Sequence, residues 1–203
     1  MAREFLRTML TDNVRKAQRQ YYGRSYPAFG TTAQPDELTP SEIEFVHARD
    51  SFYHASVAEN GWPYVQHRGG PRGFLRATSA RELVFADYGG NRQLISVGST
   101  EKDPRTCLFL MDYAAQTRLK ILGNTEFLDA REHPDLVAAS APEGGHAATP
   151  ERIARITVHA FDWNCPKFIT PRFAIDEVEA AIAPLQARIA ELEKQLADRN
   201  AAS

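Results

Sequence analysis

Between residues 62 and 163 the chain offers six short β-prone runs, at 64–68, 74–78, 82–86, 106–113, 118–128 and 155–161. Pro71, residues 87–90, Asp103-Pro104 and Gly144-Gly145 punctuate them, and little in between reads as helix. Short strands with few intervening helices suggest an antiparallel arrangement for this stretch. Within 118–128, Leu119, Ile121, Gly123, Thr125 and Phe127 alternate with a mostly polar set that includes Arg118, Lys120, Asn124 and Glu126. That pattern suits an antiparallel sheet with one wetter side. The expected fold is mainly β with flanking helices, built on a small six-stranded antiparallel barrel.

The flanks read differently. Residues 1–38 form an N-terminal wrapping segment, basic and aromatic, with a short helix expected over 5–20. Thr39-Pro40-Ser41-Glu42 combines an N-cap hydroxyl, a proline in the first turn and a capping-box glutamate, which predicts a helix over 40–59 that Asn60-Gly61 stops. His47 and His54 then fall on that helix's face. Residues 129–149 read as the longest loop, with one helical turn near 133–139. A tail over 174–203 follows the central domain of 39–173. In it Ile175, Val178, Ile182, Leu185, Ile189, Leu192 and Leu196 are spaced three and four apart, the seam of a coiled coil, with a kink or break expected at Pro184. The tail either packs on its own barrel or pairs with a second subunit.

Composition narrows the function classes. Twenty-four Lys+Arg against 26 Asp+Glu give a formal net charge of −2, which argues against a dedicated nucleic-acid binder. The longest apolar run is Cys107-Leu108-Phe109-Leu110-Met111, far short of the roughly 20 residues that span a bilayer. No secretory h-region is visible, and Cys107 and Cys165 fit a reducing compartment, so a cytoplasmic location is expected. The six histidines show no metal-ligand spacing. GxSxG, Walker A and GxGxxG motifs are absent, leaving hydrolase, P-loop and Rossmann readings unsupported.

Residues 61–93, GWPYVQHRGGPRGFLRATSARELVFADYGGNRQ, are the most informative. Gly89-Gly90-Asn91-Arg92-Gln93 leads into a stretch with helix character over 93–99. Adjacent glycines let backbone N–H groups converge on an anion, a helix start adds its positive dipole end, and Arg92 offers a fork of donors. His67-Arg68-Gly69-Gly70 reads as a second cationic turn. Either alone is an ordinary hairpin turn with a solvated arginine; together they point to a phosphorylated ligand. Trp163-Asn164-Cys165-Pro166 could wall a planar ligand, although for Trp163 alone a place in the core is the plainer reading. Cys165 reads as inert and partly buried, since nothing beside it lowers a thiol pKa.

The blocks WPYVQHRGGPRGFLR, LVFADYGGNRQLISVG, LFLMDY followed by RLKILG, and AFDWNCPKFITPRF together resemble the pyridoxamine 5'-phosphate oxidase-like superfamily. The similarity is to the branch of predicted flavin-nucleotide-binding proteins, and it covers about residues 40–173. The resemblance implies a six-stranded split β-barrel that dimerises and binds FMN at the subunit interface. It implies that Gln66, His67 and Arg68 approach the flavin, that Asn91, Arg92 and Gln93 hold the phosphate, and that Ser96 is an extra donor. By the same likeness Arg118 and Lys120 join from a later strand, and Trp163 and Asn164 close one side of the ring. Arg92 and Gly89-Gly90 would then be anchors, with His67 or Arg68 stabilising anionic reduced flavin. Deazaflavin and haem replace FMN in some split-barrel relatives. One departure stands out: where the vitamin B6 oxidases carry an arginine-histidine signature, this chain has Lys167-Phe168-Ile169-Thr170-Pro171-Arg172-Phe173. The expectation is therefore an FMN-dependent oxidoreductase for an unidentified small molecule, homodimeric, with no nucleic-acid or membrane partner. The alternatives are a non-catalytic flavin carrier or sensor, or an interaction protein acting through its coiled coil.

Overall fold

A computed structural model describes residues 3–30, 34–90, 92–141, 149–163 and 167–201. Two compact units divide the chain: residues 1–112 with 117–166, and residues 113–116 with 167–203. The first unit is one antiparallel sheet of seven strands in the order β2-β1-β5-β6-β7-β4-β3. These are β1 (Ser51–Val57), β2 (Pro63–Gly69), β3 (Arg76–Ser79), β4 (Glu82–Asp87), β5 (Arg105–Asp112), β6 (Thr117–Asp129) and β7 (Arg152–Trp163). The expected alternation in β6 is present: Leu119 and Ile121 are fully buried and Thr125 nearly so. Opposite them Leu108, Leu110, Ile156 and Val158 close the same core. Phe52 of β1 stacks on Phe74 (5.6 Å) and meets Phe85 of β4 edge-on (5.5 Å). Strands that are not neighbours in the sheet order therefore touch, because the sheet curls round its apolar face.

Seven strands replace the expected six because the helix predicted over 40–59 is short. It ends as α3 (Pro40–His47), and 51–57 is strand β1. The capping box at its start is present: Glu42 Oε2 accepts from the Thr39 N–H (2.9 Å) and from the Thr39 hydroxyl. Asn60-Gly61 is a hairpin turn rather than a helix stop, with Gly61 at φ 86° and its N–H donating to the Ala58 carbonyl (2.8 Å). His47 and His54 accordingly share no helix face. His47 accepts the Ala77 N–H through Nε2 (3.0 Å), while His54 lies inside the barrel.

The N-terminal segment folds as two helices where one was expected, α1 (Arg3–Met9) and α2 (Asp12–Tyr22); Thr11 caps the second by accepting the Val14 N–H. Phe5 and Glu4 of α1 are buried, and Glu4 reaches His159 of β7 (3.2 Å). Helix α4 (Ile95–Lys102) follows β4, a little beyond the expected 93–99. Helix α5 (Pro134–Ser140) fulfils the expected turn near 133–139 and covers the outer side of β4 through Leu136 and Val137.

In the second unit α6 (Ile175–Ala201) runs unbroken through Pro184, and none of its residues is buried. The break expected at Pro184 does not occur. Proline forfeits one i→i−4 hydrogen bond, and in an exposed helix water takes up the freed carbonyl. Elsewhere in this unit Gln116 donates to the Ile169 carbonyl (2.6 Å) and Arg172 sits over the Tyr113 ring (5.0 Å).

Candidate functional site: a cationic cleft at the barrel seam

The two ends of the sheet are β2 and β3, and β2 and β4 face each other across a seam that no backbone ladder closes. Side chains close it instead. Arg68 of β2 donates to Asp87 of β4 (2.6 Å), and Arg152 of β7 donates to the other oxygen of that carboxylate (2.8 Å). Asp87 is 8% exposed, with Arg68 at 14%. The Arg68 guanidinium also lies over the rings of Phe85 (5.4 Å) and Phe127 (5.8 Å), while its Nε is buried without a partner among the described residues. A buried carboxylate between two guanidinium groups holds their positions but neutralises only part of their charge.

Above this seam opens a cleft of about 370 Å³, lined among others by Tyr64, Gln66, Arg68, Tyr88, Arg92 and Ser96. That volume lies in the range of about 300–1,000 Å³ usual for ligand pockets. The loop from β4 to α4 forms one wall. Gly89 is there for close approach: a Cβ would lie 2.6 Å from Glu151 Oε1. The left-handed backbone falls not on the glycines but on Arg92 (φ 59°) and Leu94 (φ 53°). Leu94 occupies the N-cap of α4, and its apolar side chain accepts no hydrogen bond, so the N-cap residue leaves the first turn uncapped. The first α4 hydrogen bond runs from the Gly98 N–H to the Leu94 carbonyl (2.9 Å), leaving the N–H groups of Ile95, Ser96 and Val97 with no helical acceptor. Three cations (Arg68, Arg92, Arg152) and two carboxylates (Asp87, Glu151) line the cleft, and its guanidinium and N–H donors have the chemistry that suits a compact anion. Both carboxylates are already engaged by Arg152.

Of the residues singled out in the sequence, the cleft gathers Gln66, Arg68, Arg92, Gln93 and Ser96, and Ser96 donates to Gln66 Oε1 (2.9 Å). Asn91, Asn164 and Cys165 lie outside the described residues. Residues 67 and 68 stand within β2, not in a turn, so their side chains point to opposite faces. His67 is paired in register with Tyr53, which pairs with Phe109, then Lys120, then Asp162. This row is the outer face of the sheet. On it His67 meets Tyr53 edge-on (5.7 Å), Arg118 lies over Phe109 (5.7 Å), and Lys120 bridges to Asp162 (3.1 Å) and covers Phe5 (4.4 Å). Trp163 lies elsewhere again: its indole N–H donates to Glu42 (2.6 Å) and its ring meets Phe45 edge-on (4.8 Å). Burial alone would raise the Glu42 pKa, but the bonds from Thr39, Trp163 and the backbone outweigh it and hold the carboxyl below its ordinary value.

One feature inside the barrel escapes the sequence reading. His54 and Ser56 point inwards from β1 beside Gln66 and Tyr64 of β2. His54 Nε2 shares a hydrogen bond with the Thr125 hydroxyl (3.2 Å), which in turn meets that of Thr106 (2.7 Å). His54 Nδ1 and Ser56 Oγ are buried without partners among the described residues. Burial, then nearby Arg68, pushes the His54 pKa down to about 4, against the pull of Asp87. The signal lies in the alternation of SFYHASV, with two polar residues in the inward positions. Burial raises the Cys107 thiol, consistent with an inert cysteine. Among the described residues no cluster could hold a metal ion, and no helix is long and apolar enough to cross a membrane.

Solved structures are similar to the chain at low identity. A HupZ variant from Group A Streptococcus is 11% identical with a TM-score of 0.50, over 63% of this chain and 99% of that one. A Clostridium acetobutylicum protein related to general stress protein 26, of the pyridoxinephosphate oxidase family, is 17% identical (TM-score 0.43; 68% of this chain, 94% of that one). A FAD-binding protein from Mesorhizobium loti is 14% identical (TM-score 0.42; 63% and 96%). No curated protein matches the chain. The family model described as pyridoxamine 5'-phosphate oxidase matches residues 38–165, from the start of α3 through the end of β7 and so over more than half of the sequence, and the chain belongs to that family.

Proposed function

We propose that this protein binds FMN in the seam cleft and, as an oxidoreductase, passes electrons or hydride between the flavin and a small molecule. The observation that carries the reading is the donor set: Arg92 with no ion-pair partner among the described residues, beside the uncapped first turn of α4. Guanidinium and converging N–H groups suit a phosphate monoester. Arg92, Gln93 and the N–H groups of Ile95 and Ser96 would hold the phosphate, with Asn91 assigned by family likeness. Gln66 offers amide hydrogen bonds to a polar ring edge, and Arg68, held by Asp87, supplies fixed positive charge. When bound, FMN would supply the hydride or electron transfer.

His67, Arg118 and Lys120 cannot reach a ligand in the same chain's cleft, because the sheet lies between. They can contribute only from a second copy, and the outer face that carries them has the apolar surface a partner would cover: Tyr53 is 41% and Val65 58% exposed. A homodimer with the flavin at its interface unites both groups of residues. The departure over 167–173 speaks against vitamin B6 as the substrate. A second reading, a flavin carrier or sensor without turnover, is favoured by one fact: among the described residues both carboxylates of the cleft are ion-paired, so neither stands as a free carboxylate base.

The visible spectrum of natively purified protein, followed by FMN titration, tests the binding. Flavin absorbance or saturable quenching is expected; neither appearing would end the proposal. Reduction by NADH or NADPH and reoxidation by an acceptor would separate the enzyme from the carrier.

A further inference from the structure

The strongest feature that the flavin reading leaves unused is α6. All seven seam residues are exposed, from 40% at Ile182 to 78% at Ile175. Taking Ile175 as the first core position of the heptad, the a positions are Ile175, Ile182, Ile189 and Leu196, and the d positions are Val178, Leu185 and Leu192. Isoleucine at three of the four a positions, with Leu185 and Leu192 at d positions, favours two parallel strands over higher orders. Pro184 falls at c, on the outside, where its missing N–H disturbs no core contact.

Charges beside the seam choose the partner and its direction. In an in-register parallel pair each g residue faces the e residue five places on in the other helix. That sets Arg188 against Glu193, twice by symmetry, and Ala174, Ala181 and Gln195 against Glu179, Gln186 and Asn200, so no like charges meet at these flanking positions; the one like-charged core layer is Arg199 at the d position of the last turn. Either antiparallel register loses the Arg188–Glu193 pair and leaves Ile175 or Leu196 without an apolar mate; one of them also brings Arg188 against its own copy. In the single chain Arg188 pairs with Glu191 (2.6 Å), leaving Glu193 unmatched by it.

We propose that α6 is an interaction surface for a second copy of this chain, joined as a parallel, in-register two-stranded coiled coil. This goes beyond the flavin reading and does not depend on it. The pairing brings identical seam residues together across the two-fold axis, whereas positions on the far side stay apart.

Thiol–disulfide equilibrium in the full chain tests it. In a glutathione redox buffer, Leu192→Cys is expected to form a covalent dimer well above the parent chain, and Ala187→Cys, at the outward f position, is not. Adding Arg188→Glu to Leu192→Cys should lower the effective concentration of the two introduced thiols on the order of tenfold. Combining Arg188→Glu with Glu193→Lys should restore it, which an effect through Glu191 alone would not. Equal linkage at 192 and 187, no linkage at 192, or a double charge variant no better than Arg188→Glu would each overturn the proposal. Flavin absorbance of the same samples reports the cleft separately, so failure of the coil and failure of the flavin reading remain distinct.

Discussion

Arg92 holds a left-handed backbone (φ 59°), a conformation that costs an L-residue about 1 kcal/mol and that glycine adopts freely. Retaining a strained arginine makes sense where its guanidinium is in use. Arg92→Ala and Arg92→Gly should therefore weaken FMN binding alike, by about 10- to 100-fold for a lost charge-assisted phosphate bond. In urea unfolding the glycine variant should be the more stable of the two by about 1 kcal/mol. Equal stability would remove the strain argument, and unchanged affinity would remove Arg92 from the site. His54 makes the second residue-scale prediction. Its folded pKa of about 4 lies below the ordinary value of 6.5, so the unfolded chain binds the extra proton first. Its contribution is intact above pH 6.5 and is lost as pH falls towards 4, with a slope of up to about 1.4 kcal/mol per pH unit. Denaturation midpoints at pH 7 and pH 5 should differ accordingly, and less so in His54→Gln.

At the scale of elements, β6 and β7 form the longest ladder, and its register shifts at Leu122/Gly123. A Cβ on Gly123 would lie 2.7 Å from the Thr157 carbonyl oxygen and 3.0 Å from Ile156 Cγ2. Gly123→Ala should cost about 1–3 kcal/mol of overpacking, read from its denaturation midpoint. The alternation of β6 is clear in the sequence because its inward residues are apolar. β1 is hidden for the opposite reason: His54 and Ser56 fill inward positions beneath the cleft, so the strand lacks an apolar stripe and the helix start at Thr39 captures it. The loop wall of the cleft shows the same division. GGNRQ marks the loop plainly, but the left-handed backbone falls on Arg92 and Leu94 rather than on the glycines, which the composition of the loop does not signal. Likewise 66–68 are visible as candidates, while the opposite facing of His67 and Arg68 follows only once they stand in a strand.

For the whole molecule, the barrel unit and the α6 unit are separately compact. A chain ending at Arg172 should keep its β-sheet circular dichroism and its flavin binding; loss of both would show that the tail is needed to fold the barrel. Asp87→Ala leaves Arg68 facing aromatic rings with no carboxylate between it and Arg152. That loss should cost about 3–5 kcal/mol, measurable by thermal or urea unfolding.

Because the last joint of this barrel is ionic rather than a ladder of peptide hydrogen bonds, its closure and the proposed ligand would draw on the same guanidinium groups. Any anion that leans on Arg68 or Arg152 weakens or redirects their hold on Asp87. Occupancy and seam stiffness are then linked quantities: whatever free energy the ligand adds to or removes from the joint, a change at the joint must return to the ligand's affinity in equal measure. Added salt acts on both at once. The barrel's edge thus behaves as a gauge of what the cleft contains.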